Sequence, residues 1–332
     1  MQQAGAPGEP PLIAIVGPTA VGKTAVGIAV AERLGGEIVS ADAVAVYRGL
    51  DIGAAKPDSS ERARIPFHLI DVAEPDEDFT LADFERLADA AIEDIRARGR
   101  VPVVVGGTGL YVRAVTATLT VPNVPPQEAI RARLWDVVAR EGAPALHARL
   151  TEVDRAAAAK ILPGDAKRVI RALEVFEVTG RPMSSFHTPE GVHGVPRPNT
   201  CQVGLRMERE RLYALIEKRV DDMMAAGLLD EVRGLLDRGF ARSLKSLQSL
   251  GYRHLTRHLL DGEPLEVILA ELKRDTRRYA RRQLIWFQGD SRVLWIEMGH
   301  AVNTEAAAEK VVELAQQIAP HGRPDNTERV PE

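Results

Sequence analysis

One cysteine, Cys201, stands in a chain of 332 residues. That excludes an intramolecular disulfide and any zinc site built on several thiolates. No apolar run approaches the roughly 20 residues needed to cross a bilayer. Residues 1–11 are polar and rich in Gly and Pro, with no hydrophobic signal core. The expectation is a cytoplasmic protein with no membrane partner, with loose segments at 1–9 and 320–332. The net charge is only −4, so the molecule as a whole is no general polyanion binder. A nucleic-acid partner would need a local basic face. No internal repeat is present.

Gly17-Pro18-Thr19-Ala20-Val21-Gly22-Lys23-Thr24 fits the phosphate-binding pattern G-x-x-x-x-G-K-[ST] at every fixed position. An apolar run at 12–16 reads as a buried strand before it, and 25–31 as a buried helix after it, which is the order this loop needs. Loop N–H groups and the helix N-terminus would wrap an anion. Lys23 would neutralise an outer phosphate, and the Thr24 hydroxyl would hold Mg²⁺. The loop indicates a phosphate but not whose.

A second strand is expected over 37–40, and Asp42 follows it. In a doubly wound sheet that end faces the ligand crevice, although an Asp there can also simply start a turn. Residues 47–57 read as an ordered loop. Residues 66–71 read as a third strand, with His68 a packed histidine rather than a catalytic one. Thr80 and Asp83 form a capping box for a helix over 81–98. The most apolar strand, 101–105, is followed by Gly106-Gly107-Thr108-Gly109. Many P-loop hydrolases place an Asp there for Mg²⁺ or an attacking water. Its absence points toward group transfer. Thr108 offers a hydroxyl to a ligand, a cap to the next helix, or both.

Beyond a proline-rich linker at 121–126 the pattern turns helical: 127–140, 143–150, 154–161, and 166–178 capped by Asp165. The last of these opens with Lys167, Arg168 and Arg171, cations at the helix end where they oppose the macrodipole. They serve either an outside anion or a solvated face. Residues 187–200 read as a loop, and 201–207 as an alternating strand with Cys201 packed inside. Helices are expected at 208–226, carrying Arg219, and at 228–238. The turn at 247–253 groups Gln248, Ser249, Tyr252 and Arg253, an amide, an aromatic ring and a cation of the kind that holds bases. The helix at 271–286 carries Lys273, Arg274, Arg277, Arg278, Arg281 and Arg282 over half its surface, and reads as an anion-binding face. A strand at 293–296 and a helix at 304–319 close the chain. These elements describe an α/β P-loop NTPase-like parallel-sheet core, 10–121 and 196–319, interrupted by a helical insert, 122–195.

The ordered set GPTAVGKT (17–24), VYRGLDIGAAKP (46–57), PFHLID (66–71), VGGTGLY (105–111), DAKRVIRALEV (165–175), SLGY (249–252) and TRRYARRQLIWF (276–287) resembles the tRNA dimethylallyltransferases, also called tRNA isopentenyltransferases, from about residue 12 to 297. The resemblance implies transfer of a dimethylallyl group from dimethylallyl diphosphate to the exocyclic N6 amine of the adenosine just 3′ of the anticodon. It implies Asp42 as general base with Thr108 beside it. It also implies donor binding by Gly17, Thr19, Ala20, Val21, Gly22, Lys23 and Thr24, with Mg²⁺ and with Arg219 as a further ligand. An anticodon stem-loop would be held by Asp42, Ala43, Val44 and Ala45, by Arg131, and by Lys167, Arg168, Val169, Ile170 and Arg171. The turn Gln248, Ser249, Leu250, Gly251, Tyr252 and Arg253 joins them, and the basic helix adds Arg278 and Arg282. A monomer is expected. The family usually carries polar residues, often Ser and then Gln, where this chain has Ala43 and Ala45, so recognition there must rest on backbone or on other residues. Two other readings stand: a P-loop kinase of a small molecule or nucleoside, and a non-catalytic RNA-binding module.

Overall fold

Short β-branched runs between glycines and prolines become strands, and the longer 3.6-periodic stretches between them become helices. The computed structural model describes residues 9–119, 122, 124–186, 194–299 and 303–318. The chain runs β1 (Leu12–Val16), α1 (Lys23–Leu34), β2 (Glu37–Ala41), α2 (Ser59–Arg64), β3 (Phe67–His68), α3 (Leu81–Ala97), β4 (Pro102–Gly106) and α4 (Gly109–Thr116). There follow β5 (Ala117–Thr118), α5 (Glu128–Glu141), α6 (Ala143–Val153), α7 (Arg155–Ala158), α8 (Ala166–Thr179), a 3₁₀ turn at Met183–Phe186 and β6 (Val195–Pro196). The last part holds β7 (Thr200–Arg206), α9 (Arg209–Ala225), α10 (Leu228–Asp237), α11 (Tyr252–Asp261), α12 (Leu265–Gln288), β8 (Val293–Glu297) and α13 (Thr304–Ile318). The chain divides into two compact units, 1–116 with 196–332, and 117–195. The expected loose ends, residue 9 apart, lie outside the described residues, as do 121 and 123 of the linker and 187–193 of the loop after the helical stretch.

In the first unit six strands form one parallel sheet in the order β3-β2-β4-β1-β7-β8. Every residue of β1, β2 and β4 is buried. That is the signature of a parallel sheet covered on both faces, and it makes the strands read as continuous apolar runs. For the same reason the alternation expected over 201–207 does not appear. Cys201 to Leu205 are all buried, because β7 lies between β1 and β8. The Cys201 thiol packs there, and burial pushes its pKa up to about 11, so it stays protonated and inert.

Other local readings in the first unit also differ from the structure. The third strand is two residues long, because Leu69 and Asp71 take left-handed backbone angles, φ 62° and 59°. The Asp71 carboxylate then meets Lys56 and Arg62. The turn at 247–253 gives way at Tyr252 to helix α11, and the basic helix α12 starts at Leu265, one turn or more before the cations. Helix α3 begins as its capping box requires: Thr80 Oγ1 accepts the Asp83 N–H at 3.2 Å, and Asp83 Oδ2 accepts the Thr80 N–H at 3.0 Å.

The second unit is helical. Leu134 and Val137 of α5, Leu146 and Leu150 of α6, and Val169, Ile170 and Leu173 of α8 form its core. Asp165 caps α8 by accepting the Arg168 N–H at 3.2 Å. The helix expected over 154–161 is a single turn.

Candidate active site

Strand β1 is followed by Gly17, whose φ of +142° and close approach to the Leu205 carbonyl (a Cβ would lie 2.4 Å away) admit only glycine. The loop then wraps to Gly22, where α1 begins with no side-chain cap and no acidic residue in its first turn. Its N–H groups are therefore left for an anion. Lys23 folds back and donates to the Pro18 carbonyl at 2.7 Å. Burial, and then the Arg219 charge, push the Lys23 pKa down to about 7, against the opposing pull of Asp42. Burial also works against the Arg219 charge, and Asp42 supports it. Three groups that lie far apart in sequence therefore share one electrostatic environment.

Asp42 sits just past the end of β2. Its Oδ1 accepts the Val44 N–H at 2.8 Å and the Ala45 N–H at 3.3 Å. Thr108, just past β4, accepts the Ala43 N–H on its Oγ1 at 3.0 Å. The turn that Asp42 starts and the ligand-facing position are thus the same feature. These bonds also narrow an expectation. With their own side chains apolar, Ala43 and Ala45 leave recognition to backbone or to other residues, and the N–H groups of Ala43, Val44 and Ala45 are already bonded to Thr108 and Asp42, which leaves other residues.

Asp42 lies on the wall between two cavities. One, of about 610 Å³, is lined by the loop residues Thr19, Ala20, Gly22, Lys23 and Thr24, by Gly107, Arg219 and Gln283, and by Asp42. The other, of about 330 Å³, is lined by Asp42, Ala43, Val44, Thr108, Gln248 to Gly251, Arg253 and Arg282. Thr19, Asp42, Ala54, Arg219 and Tyr279 belong to both. The geometry suits transfer from a phosphate-bearing donor on one side to an acceptor on the other, with a carboxylate between them.

Two residues that line these cavities have no role in the sequence reading. Gln283 is buried in α12; its Oε1 accepts the Thr19 N–H at 2.8 Å and its Nε2 donates to the Gly107 carbonyl at 3.0 Å. It thereby ties the phosphate loop to the turn after β4. A signal for it existed: Gln283 is a polar residue on the same face as Ala280 and Phe287, where a buried amide must find partners. Tyr279, on the same helix, lines both cavities. Burial, and then the Asp42 charge, push its hydroxyl above the ordinary range and keep it a donor. Gln283→Ala is expected to raise KM for the phosphate-bearing substrate several-fold, because two backbone groups lose their partner. Steady-state kinetics with that substrate varied checks it.

The remaining expected residues divide. Tyr252 is fully buried and donates its hydroxyl to Glu231 Oε1 at 2.6 Å, so its ring cannot stack on a base. Val169 and Ile170 are core residues of the helical unit and offer no side chain to a ligand. Lys167 and Arg168 are exposed there. Arg131 and Arg171 converge on Glu174, which also accepts the Gln127 N–H. Burial pushes the Glu174 pKa up, but Arg131, Gln127 and Arg171 outweigh it and hold the carboxyl below its usual range. On α12 the free cationic face is smaller than its sequence suggests. Lys273 pairs with Asp221, Arg277 with Glu217, and Arg274 and Arg278 with Asp275. Arg282 lines the smaller cavity; Arg278 does not. His68 packs as expected, its Nε2 2.7 Å from the buried carboxylate of Glu37, and it lines neither cavity.

The sheet, the glycine-rich loop and the paired cavities define a P-loop NTPase-like α/β protein built for group transfer rather than for hydrolysis. The family model described as IPP transferase matches residues 45–290, and that described as isopentenyl transferase matches residues 10–66. The chain belongs to the IPP transferase family. The tRNA dimethylallyltransferase of Symbiobacterium thermophilum is 47% identical to it over 310 residues, 93% of this chain and 96% of that protein. That of Geobacter metallireducens is 47% identical over 287 residues, 86% and 92% of the two chains. Among solved structures, the full-length tRNA isopentenylpyrophosphate transferase of Bacillus halodurans superposes with TM-score 0.69 at 42% identity, covering 93% of this chain and 96% of that one. A eukaryotic dimethylallyltransferase, described as acting on tRNA, superposes with TM-score 0.73 at 26% identity, covering 96% and 82%.

Proposed function

We propose that the protein transfers a dimethylallyl group from dimethylallyl diphosphate to the N6 amine of the adenosine 3′-adjacent to the anticodon of tRNA. One observation carries the reading: Asp42 stands on the shared wall of a phosphate-loop cavity and a second cavity of about 330 Å³. The diphosphate lies in the first cavity, on the N–H groups of 20–24 with the side chains of Thr19, Lys23 and Thr24, and against Arg219. The adenine enters the second. Its N6 lone pair is delocalised into the ring, so the amine must lose a proton as it attacks. N6 bonds to C1 of the allyl group, the C1–O bond breaks, the electron pair leaves with the diphosphate, and the proton passes to Asp42. A positioned base of this kind contributes about 10²–10⁴ in rate. Lys23 and the loop N–H groups stabilise the charge gathering on the diphosphate. With its Oγ1 accepting from Ala43, Thr108 can donate its hydroxyl hydrogen into the cavity it lines. No water attacks, which fits the lack of an acid after β4.

The donor set also fits Mg²⁺, which takes few protein ligands beside phosphate oxygens and waters. Thr24 lines the loop cavity and would supply a hydroxyl oxygen; the ion would add charge stabilisation to the leaving diphosphate. A tRNA substrate together with one buried thiol supports a cytoplasmic setting. Exposed Lys167 and Arg168, and Arg253 and Arg282 at the second cavity, supply phosphate and base contacts. The extruded base costs a few kcal/mol to unstack, which those contacts offset.

Diphosphate release tests the reading. With dimethylallyl diphosphate and unmodified tRNA, one diphosphate per acceptor is expected, and none without RNA. ATP turnover without RNA would instead mark a kinase. Tight, salt-sensitive tRNA binding with no release would mark a binding module. Arg278→Ala with Arg282→Ala is expected to reduce the salt slope of tRNA binding by about one unit for each phosphate no longer neutralised. Because Arg278 is paired with Asp275, most of the change should come from Arg282. An unchanged slope would return that face to plain solvation.

A further inference from the structure

Glu231 lies on α10, outside every motif read from the sequence, and is half-buried. Its carboxylate is surrounded by donors. Oε2 accepts the N–H groups of Asp51 at 2.9 Å and Ile52 at 2.7 Å. Oε1 accepts the Gly53 N–H at 3.2 Å and the Tyr252 hydroxyl at 2.6 Å. Three successive N–H groups turned to one point form a concavity suited to an anion, and here the anion is a side chain. The two segments it joins lie about 200 residues apart in the chain, and both lead into the wall of the smaller cavity. Gly53 and Ala54 line it from one segment, and Gln248 to Gly251 and Arg253 line it from the other. The fit between them leaves no slack. A Cβ on Gly53 would lie 2.5 Å from the Tyr252 ring, so only glycine lets the loop lie against it.

We infer that Glu231 is a positioning residue for the RNA acceptor, its carboxylate fastening the 51–53 loop to the start of α11 so that the smaller cavity keeps the shape that admits the base. This rests on the reading that the smaller cavity receives the adenosine. None of Asp51, Ile52, Gly53 and Tyr252 lines the phosphate-loop cavity. Ala54 to Pro57, next along the loop, do line it, so the effect should fall more heavily on the acceptor than on the donor, whereas a role confined to fold stability would move both together.

The test is Glu231→Gln in the full chain, with each substrate varied in turn. The amide keeps one acceptor oxygen but turns an NH₂ toward groups that are themselves donors. KM for tRNA is expected to rise about tenfold or more, the scale of hydrogen bonds to a charged group, with KM for dimethylallyl diphosphate within about twofold of the wild type. Tyr252→Phe removes one donor of the four and keeps the ring; it should move the tRNA KM the same way, by about two- to fivefold. Binding of an anticodon stem-loop, measured without donor, should weaken in parallel. That readout does not depend on transfer, so an inactive wild type would refute the functional reading and still leave this one decided. An unchanged stem-loop affinity and tRNA KM in folded Glu231→Gln, or equal rises in both KM values, would overturn the inference. Should that variant fail to fold, an unchanged tRNA KM in Tyr252→Phe would do so.

Discussion

Asp42→Asn is expected to lower the rate of the chemical step by about 10²–10⁴ while tRNA affinity changes little. Asparagine suits the test better than alanine. Oδ1 of Asp42 holds the Val44 and Ala45 N–H groups, and the asparagine oxygen can go on accepting them. What it removes is the second carboxylate oxygen, the one proposed to take the proton. Alanine would release the turn as well, and a slower reaction could then come from displacement of Ala43 from Thr108. Single-turnover transfer with enzyme in excess measures the step itself, and a stem-loop titration measures affinity. A fully active Asp42→Asn would refute the assignment of Asp42 as base. Equal losses in rate and affinity would assign it to RNA binding instead.

Lys23→Met should lower kcat/KM for the diphosphate by about 10²–10³, the scale set by removing one donor aimed at developing charge. A pH dependence goes with it. Burial, and then the Arg219 charge, hold the Lys23 pKa at about 7 before the donor arrives. Below that pH the ammonium is already charged. Above it the amine is largely neutral, and a bound diphosphate must draw a proton back onto it. Donor affinity should therefore fall as pH rises through about 7 and beyond, by up to one decade per pH unit, with proton uptake on binding. Lys23→Met should bind weakly at every pH and lack this slope. Calorimetry in buffers of different ionisation enthalpy reads the proton uptake directly. Identical slopes in the wild type and Lys23→Met would place the titration on another group.

The parts legible in the sequence were those with a local cause. The loop at 17–24 announces itself by spacing, the buried strands by apolar runs, and α3 and α8 by caps three residues from their partners. Asp42 and Thr108 were placed by a topological rule, that ligands gather at the carboxyl ends of parallel strands. What stayed hidden depends on meetings across long stretches of chain. Gln283 meets Thr19 from 264 residues away, and Glu231 meets Asp51 from 180. No periodicity encodes either meeting. Tyr252 shows the reverse error. An aromatic ring in a polar turn resembles a stacking platform, but Tyr252 is the first residue of a helix and its ring faces the core. The basic helix misled for a related reason. Counting cations along one element leaves out carboxylates on the neighbouring one, and Glu217 and Asp221 of α9 neutralise two of the six.

On the proposed function, the carboxylate between the cavities serves the transfer of a prenyl group to an adenine. Digesting tRNA after incubation with Mg²⁺ and dimethylallyl diphosphate, and weighing the nucleosides, tests it most directly. One adenosine per tRNA, next to the anticodon on its 3′ side, is expected to be heavier by one dimethylallyl group in place of an N6 hydrogen. An unmodified tRNA with the donor intact, or the added mass on a phosphate or a different nucleoside, would contradict it.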